Sequence, residues 1–121
     1  MSLKLIHFPV TRSLRVVWAL YELGLEAEID TRVFDRPSLK KPDYLALNPT
    51  GKTPVFFDGD KRIVESVAII EYLANKYAKG ALTRTAKDDD YAEYLQWMQF
   101  GEAGMGGYVG MLVGQTALLP E

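Results

Sequence analysis

A glutamate and a serine, Glu65 and Ser66, stand where a strand-like run of residues changes into a helical pattern. The first turn of a helix offers free backbone N–H groups and the positive end of the helix dipole, and together these bind a carboxylate. The Glu65 carboxylate could hold an ammonium group beside it. A carboxylate and an ammonium on one carbon describe the free amino-acid end of a γ-glutamyl peptide. The structural alternative is that Ser66 caps the helix next to a favourable acidic neighbour.

A second segment, Gly51 to Pro54, combines a cation with a proline at the start of a predicted strand. Proline suits the first position of a strand. A cis bond before Pro54 would turn the N–H and C=O of Thr53 outward, where an extended peptide could pair with them. Lys52 could neutralise another carboxylate. The alternative is a trans turn with a solvated Lys52, because only about 5% of X–Pro bonds are cis.

The third segment runs from Val10 to Ser13, between the first predicted strand and the first predicted helix. A hydroxyl or a guanidinium at a helix N-terminus stabilises a bound thiolate and so lowers the pKa of the thiol. Thr11, Arg12 and Ser13 are the candidates for that role, which needs no cysteine in the protein. The alternative is that Thr11 or Ser13 is the helix N-cap and that Arg12 and Arg15 are solvated.

The alternation of residue types predicts the elements that position these segments. Residues 3–8 alternate with a period of two and stop at Pro9, which predicts a strand. Residues 13–23 are largely apolar and end at Gly24, which is typical of a buried helix. Residues 28–33 alternate apolar with charged side chains and predict a half-exposed edge strand. This order indicates a right-handed parallel crossover unit.

The following residues predict a β-hairpin and a second helix. Two short strand-like runs, 54–57 and 62–64, flank the turn Asp58-Gly59-Asp60. Residues 66–77 then place their apolar side chains on adjoining positions of one helical face. The resulting βαβ-ββα order is that of an α/β domain with a thioredoxin-like fold.

A change of composition predicts a domain boundary after this helix. We expect a thioredoxin-like domain over residues 1–78, a polar linker over 79–89 and the first helix of a truncated all-helical domain over 90–121. The last of these segments is mostly apolar but rich in glycine, which disfavours a helix in water by about 1 kcal/mol per residue. We therefore interpret it as a closely packed helix of a second domain rather than as a membrane span.

The composition excludes several classes of function. The 121 residues are 48% hydrophobic and 25% charged, with a formal net charge of -2, so the basic excess that drives binding to nucleic acid or to an anionic membrane is missing. There are no cysteines and there is one histidine, His7, which argues against disulfides, dithiol redox chemistry and a metal site. The amino terminus does not have the pattern of a signal peptide, and we expect a cytoplasmic protein.

Four stretches of the sequence resemble one known family. The segments TRSLRVVWALYELGL, NPTGKTPVF and VESVAIIEYLANKY resemble the amino-terminal domain of cytosolic glutathione S-transferases, over about residues 3–77. The segment EYLQWMQFGEA resembles the opening of that family's all-helical second domain. The resemblance implies a thioredoxin-like domain that binds glutathione as co-substrate, a small electrophile as the second substrate, a homodimer and a role in detoxification.

The same resemblance assigns roles to residues of the binding segments. It implies a cis bond before Pro54, backbone pairing of glutathione at Thr53, and contacts of the γ-glutamyl group with Glu65 and Ser66. Lys52 would lie near the glycyl carboxylate. No metal is implied.

The sequence departs from the family where the thiol would be activated. Many members carry a catalytic Ser or Cys near the end of the first loop, but a gapless comparison puts Val10 or Arg12 there. A shift of one residue restores a hydroxyl, so we rank Thr11 first, Ser13 second and Arg12 third; backbone N–H groups are a further alternative. By the same resemblance the chain ends near the end of the first helix of the second domain, so we expect the electrophile pocket to be incomplete in it.

Two functions are consistent with the sequence. The first is a glutathione transferase that activates the thiol of glutathione for attack on an electrophilic carbon or a peroxide. The second is a non-catalytic module of the same fold that serves in dimerisation, scaffolding or sensing. A thiol-disulfide oxidoreductase is rejected, because the start of the first helix has no cysteine.

Overall fold

A computed structural model describes residues 2–115. Its contacts divide the chain into two compact units, Met1–Ala81 and Leu82–Glu121. The predicted linker over residues 79–89 therefore overlaps the division, and the domain limits of the sequence analysis remain a prediction.

The first unit is a four-stranded sheet with helices, in the order β2-β1-β3-β4. Strand β2 pairs with β1 in parallel, whereas the β1–β3 and β3–β4 pairs are antiparallel. The parallel crossover, the edge position of β2 and the hairpin are therefore confirmed. The elements are β1 (Leu3–His7), α1 (Ser13–Glu22), β2 (Glu28–Thr31), a 3₁₀ turn (Pro37–Lys40), α2 (Pro42–Leu47), β3 (Val55–Asp58), β4 (Lys61–Val64) and α3 (Ser66–Tyr77).

Apolar side chains cover both faces of the sheet, because successive side chains of β1 point to opposite faces. One buried cluster joins the sheet to α1 and α3, and consists of Leu3, Leu5, Val16, Leu20, Phe56, Ile69 and Leu73. A second cluster joins the sheet to the segment with α2, and consists of Ile6, Phe8, Leu39, Tyr44 and Val55.

The strand register brings three chain segments to one end of the sheet. Ile6 pairs with Val55, and Val55 pairs with Val64. Because β1 and β4 both run antiparallel to β3, the carboxyl ends of β1 and β4 lie beside the amino end of β3. The residues that follow β1, precede β3 and follow β4 are the three segments that the sequence analysis selected.

The second unit contains one continuous helical run. It comprises α4 (Tyr91–Gln99), a π-helical stretch (Phe100–Met105) and α5 (Gly106–Val113). An ion pair between Arg84 Nε and Asp90 Oδ1, 2.8 Å apart, precedes the run. The predicted helix over residues 90–121 is present up to the last described positions, and residues 116–121 lie outside the described part. Within residues 2–115, no helix has both the length and the apolar character needed to cross a membrane.

A carboxylate at the end of β3 ties the hairpin to α3. Asp58 Oδ2 accepts hydrogen bonds from Lys76 Nζ, Tyr72 Oη and Tyr77 Oη, each at 2.5 Å. The Lys76 ammonium, followed by the two tyrosine hydroxyls, holds the pKa of Asp58 far below its usual value of 3.8. The sequence analysis assigned Asp58 only to a turn, because nothing in the local pattern shows its partners on α3.

Replacing Asp58 with asparagine tests this clamp. We expect Asp58→Asn to lower the free energy of unfolding at pH 7 by about 1–2 kcal/mol, because it weakens three hydrogen bonds to a charged carboxylate. The loss is no larger because solvent screens the partly exposed Lys76 ammonium. The folded pKa is depressed, so the stabilisation is complete above the unfolded pKa of about 4 and is lost as the pH falls toward the folded pKa. Urea unfolding at pH 7 and near pH 2 measures both values.

The exposed neighbour Asp60 provides a matched control, and Asp60→Asn should change stability little at either pH. An Asp58→Asn deficit of equal size at both pH values would show that the charge of Asp58 does not carry the clamp.

Candidate functional site

Two of the predicted segments touch through their side chains. Thr53 Oγ1 donates a hydrogen bond of 2.9 Å to Thr11 Oγ1, although the residues are 42 positions apart. Both threonines are half-buried. The loop before β3 is therefore fixed against the loop after β1.

The hydroxyls of the first loop bind the backbone of Phe8. Thr11 Oγ1 donates to the Phe8 carbonyl at 2.7 Å, and Ser13 Oγ donates to the same oxygen at 2.9 Å. The Phe8 N–H in turn donates to Ser13 Oγ at 3.0 Å. The cap position of α1 is Arg12, and no side chain caps the helix there. The hydroxyls thus hold the loop, and neither Thr11 nor Ser13 occupies the N-cap position.

The three candidates for thiol activation differ in exposure. Ser13 is fully buried at 0% relative exposure, Thr11 is half-buried and Arg12 is exposed. Next to them Val10 is 93% exposed and has a φ of 57°. A β-branched residue rarely adopts this left-handed conformation, so the tip of the loop is strained.

The segment before β3 contributes the positive charge of Lys52 and backbone groups of Thr53 that are unpaired within residues 2–115. The Thr53–Pro54 bond is cis, as the resemblance implied. The Lys52 carbonyl accepts hydrogen bonds from Tyr44 Oη at 2.9 Å and from Asn48 Nδ2 at 2.7 Å, which fix the loop to α2 and the residue that follows it. The Thr53 backbone N–H and C=O make no hydrogen bond with any of residues 2–115, and the exposed Lys52 ammonium has no partner in that range either.

At the start of α3, Glu65 has a φ of 72° and a ψ of 113°, a conformation that is strained for any residue with a Cβ. Glu65 is the cap position and no side chain caps the helix, so the reading of Ser66 as the N-cap is wrong: Ser66 is the first residue of α3. The positive φ of Glu65 starts the helix one residue earlier than the capping pattern required. The exposed Glu65 carboxylate has no hydrogen-bond or ion-pair partner in the described part of the chain.

Two cations near these segments had no predicted role in the site. Arg15 Nη1 donates to Ser66 Oγ at 3.4 Å, which brings a guanidinium from α1 to the first turn of α3. Lys40 Nζ donates to the carbonyls of Thr50 and Gly51 at 3.1 and 3.3 Å, beside the Lys52 loop. A solvated Arg15 was one alternative from the sequence, because its position on a helix gives no signal of the contact with Ser66.

Gly51 has a structural reason to be a glycine. Its φ is 60°, and a Cβ there would lie 2.6 Å from Lys40 Nζ and 2.8 Å from the Leu39 carbonyl. A larger residue would displace Lys40 or the 3₁₀ turn. The close approach therefore places the Lys40 ammonium against the loop that leads to Thr53.

The arrangement suits an extended ligand that is charged at both ends. The first turn of α3 and Arg15 offer N–H groups and positive charge to a carboxylate, with the Glu65 carboxylate alongside for an ammonium. The Thr53 backbone could pair with the middle of the ligand. Lys40 and Lys52 provide positive charge for a second carboxylate.

A groove at the other end of the sheet has no cation among its lining residues. It has a volume of about 410 Å³ and lies between the end of α1 and the start of β2. Its lining residues are Leu20, Tyr21, Leu25, Glu26, Ala27 and Ile29.

Comparisons with known proteins agree on one family. Residues 1–75 match the family model described as glutathione S-transferase, N-terminal domain. The chain is 37% identical over 102 residues to glutathione S-transferase 3 of Schizosaccharomyces pombe, and 44% identical over 98 residues to glutathione S-transferase 3 of Zea mays. These matches cover 82% and 80% of this chain but 40% and 44% of the relatives. The chain therefore spans less than half the length of these curated relatives.

Solved structures agree with the fold. Glutathione transferase URE2P8 from Phanerochaete chrysosporium, solved with oxidized glutathione, matches with a TM-score of 0.83 at 32% identity, over 99% of this chain and 56% of that one. A glutathione transferase homolog from Lodderomyces elongisporus, solved with two GSH per subunit, matches with a TM-score of 0.85 over 100% of this chain and 59% of that one. At 24% identity the second likeness shows the fold alone. The thioredoxin-like α/β fold is thereby confirmed.

The strain at Val10 leads to a stability prediction. Asparagine adopts the left-handed conformation far more readily than a β-branched residue, and at 93% exposure Val10 has little packing to lose. We expect Val10→Asn to raise the free energy of unfolding by about 0.5–1 kcal/mol, measured by urea denaturation.

Val33 gives a matched control, because it is 87% exposed and has no positive φ. Val33→Asn should leave stability unchanged or lower it slightly. An equal gain in both variants would show that replacing an exposed apolar side chain with a polar one causes the effect, and that strain at Val10 does not.

Proposed function

This chain belongs to the glutathione S-transferase family, and from that premise we propose that it binds reduced glutathione and, in the complete protein, activates its thiol. The activated thiol would attack an electrophilic small molecule or a peroxide. A homodimer and a cytoplasmic location belong to the same proposal.

The observation that carries the proposal is the convergence of three segments at one end of the sheet. The contact of 2.9 Å between Thr53 and Thr11 joins the loop before β3 to the loop after β1, and the contact of 3.4 Å between Arg15 and Ser66 joins α1 to the start of α3. Glutathione has a γ-glutamyl end with an ammonium and a carboxylate, a central cysteinyl residue and a glycyl carboxylate. Each of these groups has a chemical complement in the converging segments.

We assign one role to each part of the site. Glu65 holds the ammonium, while Ser66 and the first turn of α3 hold the γ-glutamyl carboxylate with help from Arg15. The Thr53 backbone pairs with the cysteinyl residue, next to the cis Pro54. Lys52, supported by Lys40, neutralises the glycyl carboxylate.

Thr11 is the best candidate for the group that stabilises the thiolate. Its hydroxyl is half-buried and touches the Thr53 side chain, whereas Ser13 is fully buried. Arg12 is exposed and would act through its charge at longer range. Lowering a thiol pKa by about two units requires about 2.7 kcal/mol, which one or two charge-assisted hydrogen bonds supply.

A non-catalytic binding module is the second candidate, and one observation favours it. The Thr11 hydrogen is already donated to the Phe8 carbonyl at 2.7 Å. If that bond persists when glutathione binds, the hydroxyl does not stabilise the sulfur. The tripeptide would then be bound with an ordinary thiol, as in a scaffold or a sensor.

Removing the charge of Glu65 tests the binding site. We expect Glu65→Gln to weaken binding of reduced glutathione about 10- to 100-fold, because a charge-assisted hydrogen bond to the ammonium contributes about 1.5–3 kcal/mol. Isothermal titration calorimetry on the 121-residue chain measures the affinity.

Glu26→Gln is the matched control, since Glu26 is exposed and lines the groove at the far end of the sheet. It should bind like the parent chain. If the two variants bind equally well, Glu65 is not part of the site.

Ultraviolet titration of bound glutathione separates the two functions. A thiol-activating protein should lower the apparent pKa of the bound thiol from about 8.5 to near 6.5. Thr11→Val should raise that value by at least about one unit by removing the hydroxyl, and Thr11→Ser should retain most of the lowering. Glutathione that binds with an unshifted thiol pKa would instead establish the non-catalytic module.

A further inference from the structure

A line of polar contacts leads from the interior of the sheet to the proposed sulfur site. His7 Nδ1, at the end of β1, lies 2.8 Å from Ser13 Oγ. Ser13 Oγ lies 2.8 Å from Thr11 Oγ1, which accepts the hydrogen bond from Thr53. His7 and Ser13 are both buried, and the proposed function uses neither of them.

The Thr11 hydroxyl has no unused bonding position. A hydroxyl has one hydrogen and two lone pairs. The Thr11 oxygen accepts from the Thr53 hydroxyl at 2.9 Å and from the Ser13 N–H at 3.3 Å. Its hydrogen goes to the Phe8 carbonyl at 2.7 Å. Thr11 can therefore donate to a bound sulfur only by leaving that carbonyl.

The Ser13 hydroxyl, which donates to the same Phe8 carbonyl, can keep that oxygen hydrogen-bonded when the Thr11 hydrogen leaves it. Ser13 Oγ accepts from the Phe8 N–H at 3.0 Å, which occupies one of its lone pairs, and it lies 2.9 Å from the Phe8 oxygen. The remaining lone pair faces His7 Nδ1. Which atom accepts the Ser13 hydrogen therefore depends on whether His7 Nδ1 is a hydrogen-bond donor or an acceptor.

If Nδ1 carries a hydrogen, it fills the second lone pair of Ser13. The Thr11 oxygen, 2.8 Å from Ser13 Oγ, already accepts from the Thr53 hydroxyl and the Ser13 N–H, so the Ser13 hydrogen goes to the Phe8 carbonyl at 2.9 Å. The carbonyl then keeps a partner when the Thr11 hydrogen turns to a ligand. With Nδ1 as donor, the Thr11 hydroxyl can therefore donate its hydrogen to the bound sulfur.

If Nδ1 is instead an acceptor, Ser13 gives its hydrogen to His7. The Phe8 carbonyl then depends on Thr11 alone, and Phe8 is buried at 2% relative exposure. Leaving a buried carbonyl without a hydrogen bond is costly, which opposes donation to the sulfur. With Nδ1 as acceptor, the Thr11 hydrogen therefore stays on the Phe8 carbonyl.

We propose that His7, acting as an Nδ1–H donor through Ser13, is a positioning residue that frees the Thr11 hydroxyl to bind the thiolate. The inference rests on the proposed function and specifies how its sulfur site is prepared. Burial lowers the pKa of His7 below its usual value of 6.5, so the ring is neutral at pH 7 and its tautomer matters. Protonation of the ring would leave the Nδ1 hydrogen in place.

The tautomer can be measured directly, because His7 is the one histidine of the chain. The ¹⁵N resonances of the ring in the ¹⁵N-histidine-labelled 121-residue chain are therefore assigned without mutation. We expect the neutral Nδ1–H tautomer at pH 7. An Nε2–H tautomer, with Nδ1 as acceptor, would overturn the proposal, and this measurement holds even if variants of His7 fail to fold.

The functional consequence is tested on the thiol pKa of bound glutathione. We expect His7→Leu and Ser13→Ala to raise it by about one unit, while affinity for S-methylglutathione, which has no free thiol, changes less than about twofold. His7→Asn, whose amide can donate from a position near Nδ1, should restore the lower value. A purely structural role would alter the melting temperatures and leave the thiol pKa unchanged in every folded variant.

The outcomes separate this inference from the proposed function. If Thr11→Val raises the thiol pKa but His7→Leu and Ser13→Ala do not, the proposed function stands and the role of His7 is refuted. If the parent chain binds glutathione without lowering its thiol pKa, thiol activation fails and the positioning role fails with it.

Discussion

The pairing of β3 between β1 and β4 is the constraint on which the site depends. With Ile6 opposite Val55 and Val55 opposite Val64, three loops leave the sheet at the same end. A slip of one residue would turn Phe56, which is fully buried, toward the other face, and would move Thr53 away from Thr11. The two apolar clusters that fix the register of the sheet therefore also fix the spacing of the candidate binding groups.

Two of the three non-glycine residues with a positive φ among residues 2–81 lie where the register brings the loops together; the third is Lys79. Glu65 and Val10 have positive φ values, and the Thr53 backbone groups have no hydrogen-bond partner within residues 2–115. Each positive φ costs about 1–3 kcal/mol. Cores on both faces and the Asp58 clamp offset these costs. Local rules of stability are broken most often at sites that bind a ligand.

The sequence was informative where a feature repeats along the chain and uninformative where it joins distant residues. The alternation in β1 and in residues 28–33, and the helical face of Ser66–Tyr77, predicted the sheet edge and α3 correctly. The reach of Arg15 to Ser66 could not be predicted, because it depends on how two helices pack. The φ of Glu65 likewise follows from the turn between β4 and α3, which made the capping interpretation of Ser66 wrong.

The central claim is that one end of the sheet binds glutathione in a single orientation. Intermolecular nuclear Overhauser effects between ¹³C-labelled glutathione and the 121-residue chain test it most directly. We expect contacts from the cysteinyl β-protons to the Thr11 methyl group and from the γ-glutamyl protons to Ser66. Contacts to Leu25 and Ile29 in the groove at the other end, without any to Thr11 or Ser66, would contradict it.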